Sequence, residues 1–147
     1  MPSSQVEAFL TAQEEQEVVS AILEAESNTS GEIRVHIEAH TDLEHLDRAK
    51  QLFHLLKMDN TKDENGVLIY VAVRDRKFTI YGDRGIDRVV PENFWNSTKD
   101  LIQDHFQHGR FKQGLIEGIL QAGKELQAHF PWEHGDRNEL SDEISKG

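Results

Sequence analysis

The chain has 147 residues, the length of one domain, and it contains no cysteine, which excludes disulfides, thiolate nucleophiles and Cys-based metal sites. Its 27 acidic and 16 basic residues leave a net charge of -11, and the basic residues stand singly or in short pairs among acids, which argues against nucleic acid or an anionic membrane as a partner. No stretch approaches the ~20 apolar residues of a membrane helix, and residues 1–5 hold no basic segment leading into an apolar run; the expected location is the cytoplasm, or the periplasm if a leader has been removed.

Residues 1–10 are expected to form a flexible N-terminus, 11–130 a single domain and 131–147 a polar, disordered tail. Thr11 and Glu14 have the spacing of a capping box, and the helix they open places Val18, Val19, Ile22 and Leu23 on one face. It stops at the turn cluster Asn28, Thr29, Ser30 and Gly31. Ile33, Val35, Ile37 and Ala39 then alternate with Glu32, Arg34, His36 and Glu38, the pattern of a half-exposed strand near a sheet edge. Thr41 and Glu44 repeat the capping-box spacing ahead of a helix bearing Leu46, Ala49, Leu52, Phe53 and Leu56.

A polar loop over 57–66 leads into 67–73, a run of seven apolar residues that reads as a central strand buried on both faces. Residues 74–76 make a tight connection, and 77–81 alternate as the returning strand of an antiparallel hairpin. A second loop, 82–90, carries Gly82, Asp83, Gly85 and Asp87. Pro91 marks a helix start, with Phe94, Trp95, Leu101, Ile102 and Phe106 on the helix and Gly109 at its end. Phe111, Leu115, Ile119, Ala122 and Leu126 mark a last helix stopped by Pro131. Trp132 either folds back as a cap or contacts a partner. The order is α-β-α-β-β-α-α. A right-handed β-α-β crossover gives two parallel strands and the hairpin adds an antiparallel one, so the expectation is an α/β domain with a small mixed sheet.

Strand direction brings three segments to one edge of such a sheet: the start of the first strand, the 57–66 loop and the end of the hairpin. They carry Asp63, Glu64, Asn65, Asp83 and Asp87, with Glu32, Asp59 and Arg84 as further members. Hard cations such as Ca²⁺ and Mg²⁺ take several carboxylate, amide and carbonyl oxygens, so this edge is a candidate divalent-cation site; a solvated acidic rim is the alternative. It is not an EF-hand, because positions one and twelve of that loop would be Thr61 and Ala72. A zinc site has little support: His105 and His108 lie three apart and His36 and His40 four apart, with nothing in the sequence to join the pairs.

Ser30, Gly31, Glu32, Ile33, Arg34 and Val35, then 63–71, then Asp75, Arg76 and Lys77, then 80–86, resemble the TPM domain family. Gly109, Arg110, Phe111, Gly114 and Leu115 are similar to its late helix, so the likeness spans about 11–130. The resemblance implies a Rossmann-like three-layer α/β/α sandwich, with relatives in the thylakoid lumen and the bacterial envelope. Some members are associated with divalent-cation binding and acid phosphatase activity. Many bacterial relatives carry a signal peptide and an anchored tail, which this sequence does not display. Gly82, Asp83, Arg84 and Gly85 run one residue longer than the family's Gly-x-Gly. A weak metal-dependent phosphatase would work through a metal-bound water at Asp63, Asp83 and Asp87, with Arg84 or Arg88 as phosphate clamp, since no P-loop or Asp-x-Asp nucleophile occurs. A regulatory cation-binding module needs no turnover. A protein-interaction module with an unidentified partner needs neither cation nor turnover.

Overall fold

A computed structural model describes residues 4–132 and 143–147. The helices are α1 (Ser4–Phe9), α2 (Ala12–Glu26), α3 (His45–Leu55), α4 (Arg84–Asp87), α5 (Asn96–Gln107) and α6 (Phe111–His129). The strands are β1 (Glu32–Glu38), β2 (Gly66–Ala72), β3 (Lys77–Gly82) and β4 (Ser145–Lys146), in the sheet order β3-β2-β1-β4. β1 and β2 are parallel, joined by the crossover through α3, and β2 and β3 form the antiparallel hairpin.

All seven residues of β2 are buried, because its two faces serve two different cores. Val67, Ile69 and Val71 join Ile33, Val35 and Ile37 of β1 under α2, α5 and α6. Leu68, Tyr70 and Ala72 join Ala49, Leu52, Phe53 and Met58 under α3. The result is the three-layer α/β/α sandwich expected of the small mixed sheet. The Thr11 capping box forms as read: the Thr11 side chain accepts from the Glu14 N–H and the Glu14 carboxylate from the Thr11 N–H.

Several local expectations are corrected. Residues 4–9 are helical rather than flexible, because Val6 and Leu10, four apart, sink into the larger core. β1 is neither half-exposed nor at an edge: β4 pairs on its outer side at His36 and Ile37, Arg48 of α3 reaches Glu38, and Glu32, His36 and Glu38 are all buried. No capping box forms at Thr41, whose hydroxyl instead accepts from the Leu43 N–H in a turn; Glu44 caps α3 by accepting from the Leu46 N–H. The 57–66 loop contains a 3₁₀ turn, Met58–Asn60, that seats Met58 in the smaller core. The 82–90 loop contains α4, capped by Asp83, and α5 begins at Asn96, after the Phe94 and Trp95 turn. In the expected tail, Ser145–Lys146 is a strand on β1; the rest of that expectation, over 133–142, lies outside the described residues. Trp132 is 45% exposed and its N–H donates to the Asn28 carbonyl (3.2 Å).

The larger core is tightest along α6, where glycines admit neighbours: a Cβ on Gly118 would lie 2.5 Å from Ile102 and one on Gly123 2.8 Å from Ala25. Ile119, between them, is fully buried. Ile119→Ala should therefore lower unfolding stability by about 2–5 kcal/mol, whereas Leu23→Ala, at a 53% exposed site, should stay within about 0.5 kcal/mol. Urea melts at unchanged slope check the contrast; equal effects at both sites would contradict this packing.

Candidate functional site

The three acidic segments do converge. Glu32 is in register with Gly66, and Val67 with Gly82, so the starts of β1 and β2 and the end of β3 share one edge. Backbone hydrogen bonds stitch them together: Glu32 N–H to the Asn65 carbonyl (3.3 Å), Asp83 N–H to the Gly66 carbonyl (3.0 Å) and Gly85 N–H to the Glu64 carbonyl (2.8 Å). The last contact explains the glycine, since a Cβ there would stand 2.3 Å from the Asp63 carbonyl oxygen and 2.5 Å from that of Glu64. Glu64 itself takes a left-handed backbone (φ 50°), which turns the loop toward α4.

The candidate residues have different roles. Asn65 is buried and structural, its amide donating to the Ser30 hydroxyl (3.2 Å) and its N–H to the Thr61 hydroxyl (3.3 Å). Glu32 is buried at the head of β1. Glu64 is gripped by Arg84 (3.0 Å) and Arg88 (3.6 Å), so these cations neutralise the loop rather than stand free. Asp59 is taken up by His54 (2.8 Å), whose hydrogen bond holds the Asp59 carboxyl below its ordinary range. Asp63 and Asp87 are exposed.

Asp83 is the exception. It is only 4% exposed, and its Oδ1 caps α4 by accepting from the Arg84 N–H (2.7 Å). Its Oδ2 is buried and accepts no hydrogen bond among the described residues. Burial raises the Asp83 carboxyl above its ordinary value, and the negative charges of Glu64 and Asp59 raise it further against the opposing pull of Arg84. Among the described residues no three His, Asp or Glu side chains stand ready to grip one metal ion. The groups at this edge are carboxylate, amide and carbonyl oxygens, and Asp83 Oδ2 and Glu64 Oε2 are both buried without a hydrogen bond among the described residues.

The opposite end of the parallel strands holds a denser polar cluster that the sequence reading passed over. Arg48 of α3 forks onto Glu38 at the end of β1, Nε to Oε2 and Nη2 to Oε1, both 2.9 Å. The fully buried Tyr70 hydroxyl donates to Glu38 Oε2, and His36 Nε2 lies 3.3 Å from Oε1. Burial by itself raises the Glu38 carboxyl, but the hydrogen bonds from Arg48, Tyr70 and His36 outweigh it and the group lies below its ordinary value. Burial, then Glu38, pushes the Tyr70 phenol far above the usual range. Burial also lowers His36, whose Nδ1 lies 2.9 Å from the Ser145 hydroxyl. Ser145 and Gly147 close this end: a Cβ on Gly147 would lie 2.9 Å from His36 Nε2 and 3.0 Å from Glu38 Oε1. Ligands of open α/β sheets commonly bind outside the carboxyl ends of the strands; here the chain itself fills that crevice. The one available signal was Tyr70, a polar tip inside an apolar run, facing the same side as Glu38.

The TPM domain profile matches residues 4–125. This chain belongs to the TPM domain family. The BA42 protein from the psychrophilic bacterium Bizionia argentinensis is 57% identical, with a TM-score of 0.91 over 95% of this chain and 96% of that one. Two further TPM-like folds are more distant. The N-terminal domain of a P. gingivalis protein is 22% identical (TM-score 0.68, covering 86% and 83% of the two chains). That of the cg2496 protein from Corynebacterium glutamicum is 10% identical (TM-score 0.65, 88% and 84%). These two share the fold alone. No curated protein matches the chain. Among the described residues of this TPM domain, no helix is long and apolar enough to cross a membrane.

Beside the Glu38 cluster, the hairpin turn of the TPM domain carries a second ionic group. Asp75 meets His40 Nδ1 at 2.6 Å and His45 Nε2 at 3.1 Å, and accepts the Thr41 N–H at 3.2 Å. Hydrogen bonds from His40 first, then His45, hold its carboxyl at about 2, while Asp75 and then Asp42 raise His40 above its ordinary 6.5. A depressed carboxyl stabilises the fold above its unfolded value of 3.8, and that contribution is lost as pH falls toward 2. A raised imidazole stabilises below 6.5, and its contribution is lost as pH rises through the folded value. The stability gap between wild type and Asp75→Asn should therefore be widest from about pH 4 to 6.5 and close on both sides. Urea melts from pH 2 to 8 test this, and a gap independent of pH would refute it.

Proposed function

We propose that this TPM domain binds a divalent cation, Ca²⁺ or Mg²⁺, at the acidic edge, as a binding module rather than through a side-chain nucleophile. Asp83 and Glu64 are the central donors, Asp63, Asn65 and Asp87 the surrounding ones, with Glu32 and Asp59 lending negative potential and Arg84 yielding Glu64 to the ion. The observation that carries this reading is Asp83 Oδ2, a buried carboxylate oxygen with no hydrogen bond among the described residues, beside the negative charges of Glu64 and Asp59. A carboxylate so placed is costly to keep ionised, and a cation offsets that cost directly. Some members of the family are associated with divalent cations, which agrees with the same reading. A cation would also lower the Asp83 carboxyl, so affinity should fall with acidification.

Asp83→Asn keeps the oxygen that caps α4 and removes the charge. In chelator this variant should melt at or above wild type, because an under-compensated buried charge is gone. Wild type should gain stability in millimolar Ca²⁺ or Mg²⁺, by about 2.7 kcal/mol when the ion is at 100 times its Kd, and Asp83→Asn should not. Thermal melts in chelator and in each cation check both halves. No shift in wild type, or a full shift in Asp83→Asn, would discard the proposal.

A further inference from the structure

At the hairpin-turn end of the sheet, away from the acidic edge, lies a cavity of about 1020 Å³ between α1, the β2–β3 hairpin, α5 and the start of α6. Four phenylalanines line it: Phe9 from α1, Phe78 from β3, Phe106 from α5 and Phe111 from α6. Their rings form one connected group, with centroids 4.6 Å apart for Phe9 and Phe111, 5.4 Å for Phe106 and Phe111, 5.6 Å for Phe78 and Phe106, and 6.0 Å for Phe9 and Phe106. Phe106 is wedged over Gly114, where a Cβ would come within 2.9 Å of its ring. That wedge fixes the central ring, so the space does not close by a simple rotamer change. The volume lies at the upper end of the range for small-molecule sites, and an aromatic wall with a few polar groups is their usual lining.

The rim is positive in a chain of net charge -11. Arg76, in the hairpin turn, lines the cavity, and its side chain forms no ion pair among the described residues; Lys77 also borders it, but its register with Ala72 puts its side chain on the α3 face of the sheet. The acids that would be expected to pair with Arg76 are engaged elsewhere. Asp75, in the same turn, is held by His40 and His45, and Asp104 of α5 faces His108 and Arg110. Gln103 and Gln107 add amide groups to the same wall. A cation with no ion pair among the described residues, flanked by two amides beside an apolar hollow, complements a ligand that is negative at one end and apolar along its body.

We infer that this cavity binds a small organic anion with an apolar body, a free monocarboxylate of the medium-chain fatty-acid class, its chain along the four phenylalanine rings and its carboxylate at Arg76 with the Gln103 and Gln107 amides. The site is separate from the acidic edge and does not depend on a cation there. Decanoate, used below its micelle-forming concentration and in the presence of chelator, is the direct probe. Amide NMR shifts of the full chain should move saturably at 71–78 and 103–111. Decanoate should bind about tenfold more tightly than decylammonium, and Arg76→Glu should weaken it by about tenfold while leaving the melting temperature near wild type. Phe111→Ser, at a 36% exposed position, should weaken decanoate and decan-1-ol alike. Absence of saturable shifts, equal affinity for decanoate and decylammonium, or unchanged decanoate affinity in Arg76→Glu would each overturn the inference.

Discussion

A strand that is apolar on both faces must be covered on both sides, and β2 imposes that condition on every other element. Its odd residues need one helical layer and its even residues another, so α3 must cross to the face opposite α2, α5 and α6. Handedness then places β1 parallel beside it, and a short turn returns β3 antiparallel on the other flank. Glycines on α6 let α2 and α5 approach closely enough to close the larger layer.

The same arrangement separates the polar chemistry into two ends with opposite characters. At one end the starts of the parallel strands meet the end of β3, and backbone hydrogen bonds fix the loops before side chains are considered. Carboxylates crowd there, and Asp83 and Glu64 are each left with a buried oxygen lacking a hydrogen bond among the described residues. At the other end Glu38 is surrounded by Arg48, Tyr70 and His36, and the cluster is closed over by Ser145 and Gly147. A buried ion pair with this many partners is costly to break on one side only, so its evident physical role is to lock α3 onto β1.

Charge distribution follows the hairpin in a related way. Asp75 turns back toward His40 and His45, tying the β2–β3 turn to the segment after β1. That leaves Arg76 with no ion pair among the described residues, beside the phenylalanine cluster. An acidic protein thus acquires a locally basic, aromatic hollow through the pairing preferences of one aspartate.

The sequence by itself determined the periodicities. The alternation of 32–39, the seven-residue apolar run and the helical stripe ending at Leu126 specify element type and order, because burial on one face or two leaves its period in the chain. Strand direction alone also brought Glu64, Asn65 and Asp83 to one edge. Only the tertiary structure decided which acids there are paired, since Arg84 and Arg88 reach Glu64 through the turn of α4, an element too short to leave a period. It alone buried Glu32, His36 and Glu38, whose alternation reads as solvent-facing until tertiary contacts, β4 and Arg48 among them, surround β1. It alone made α1 part of the core, because Val6, Phe9 and Leu10 span barely one helical turn, too short a stretch to fix a period. The Glu38 cluster and the phenylalanine cavity join residues tens of positions apart, and spacing along a chain does not encode contacts that only packing creates.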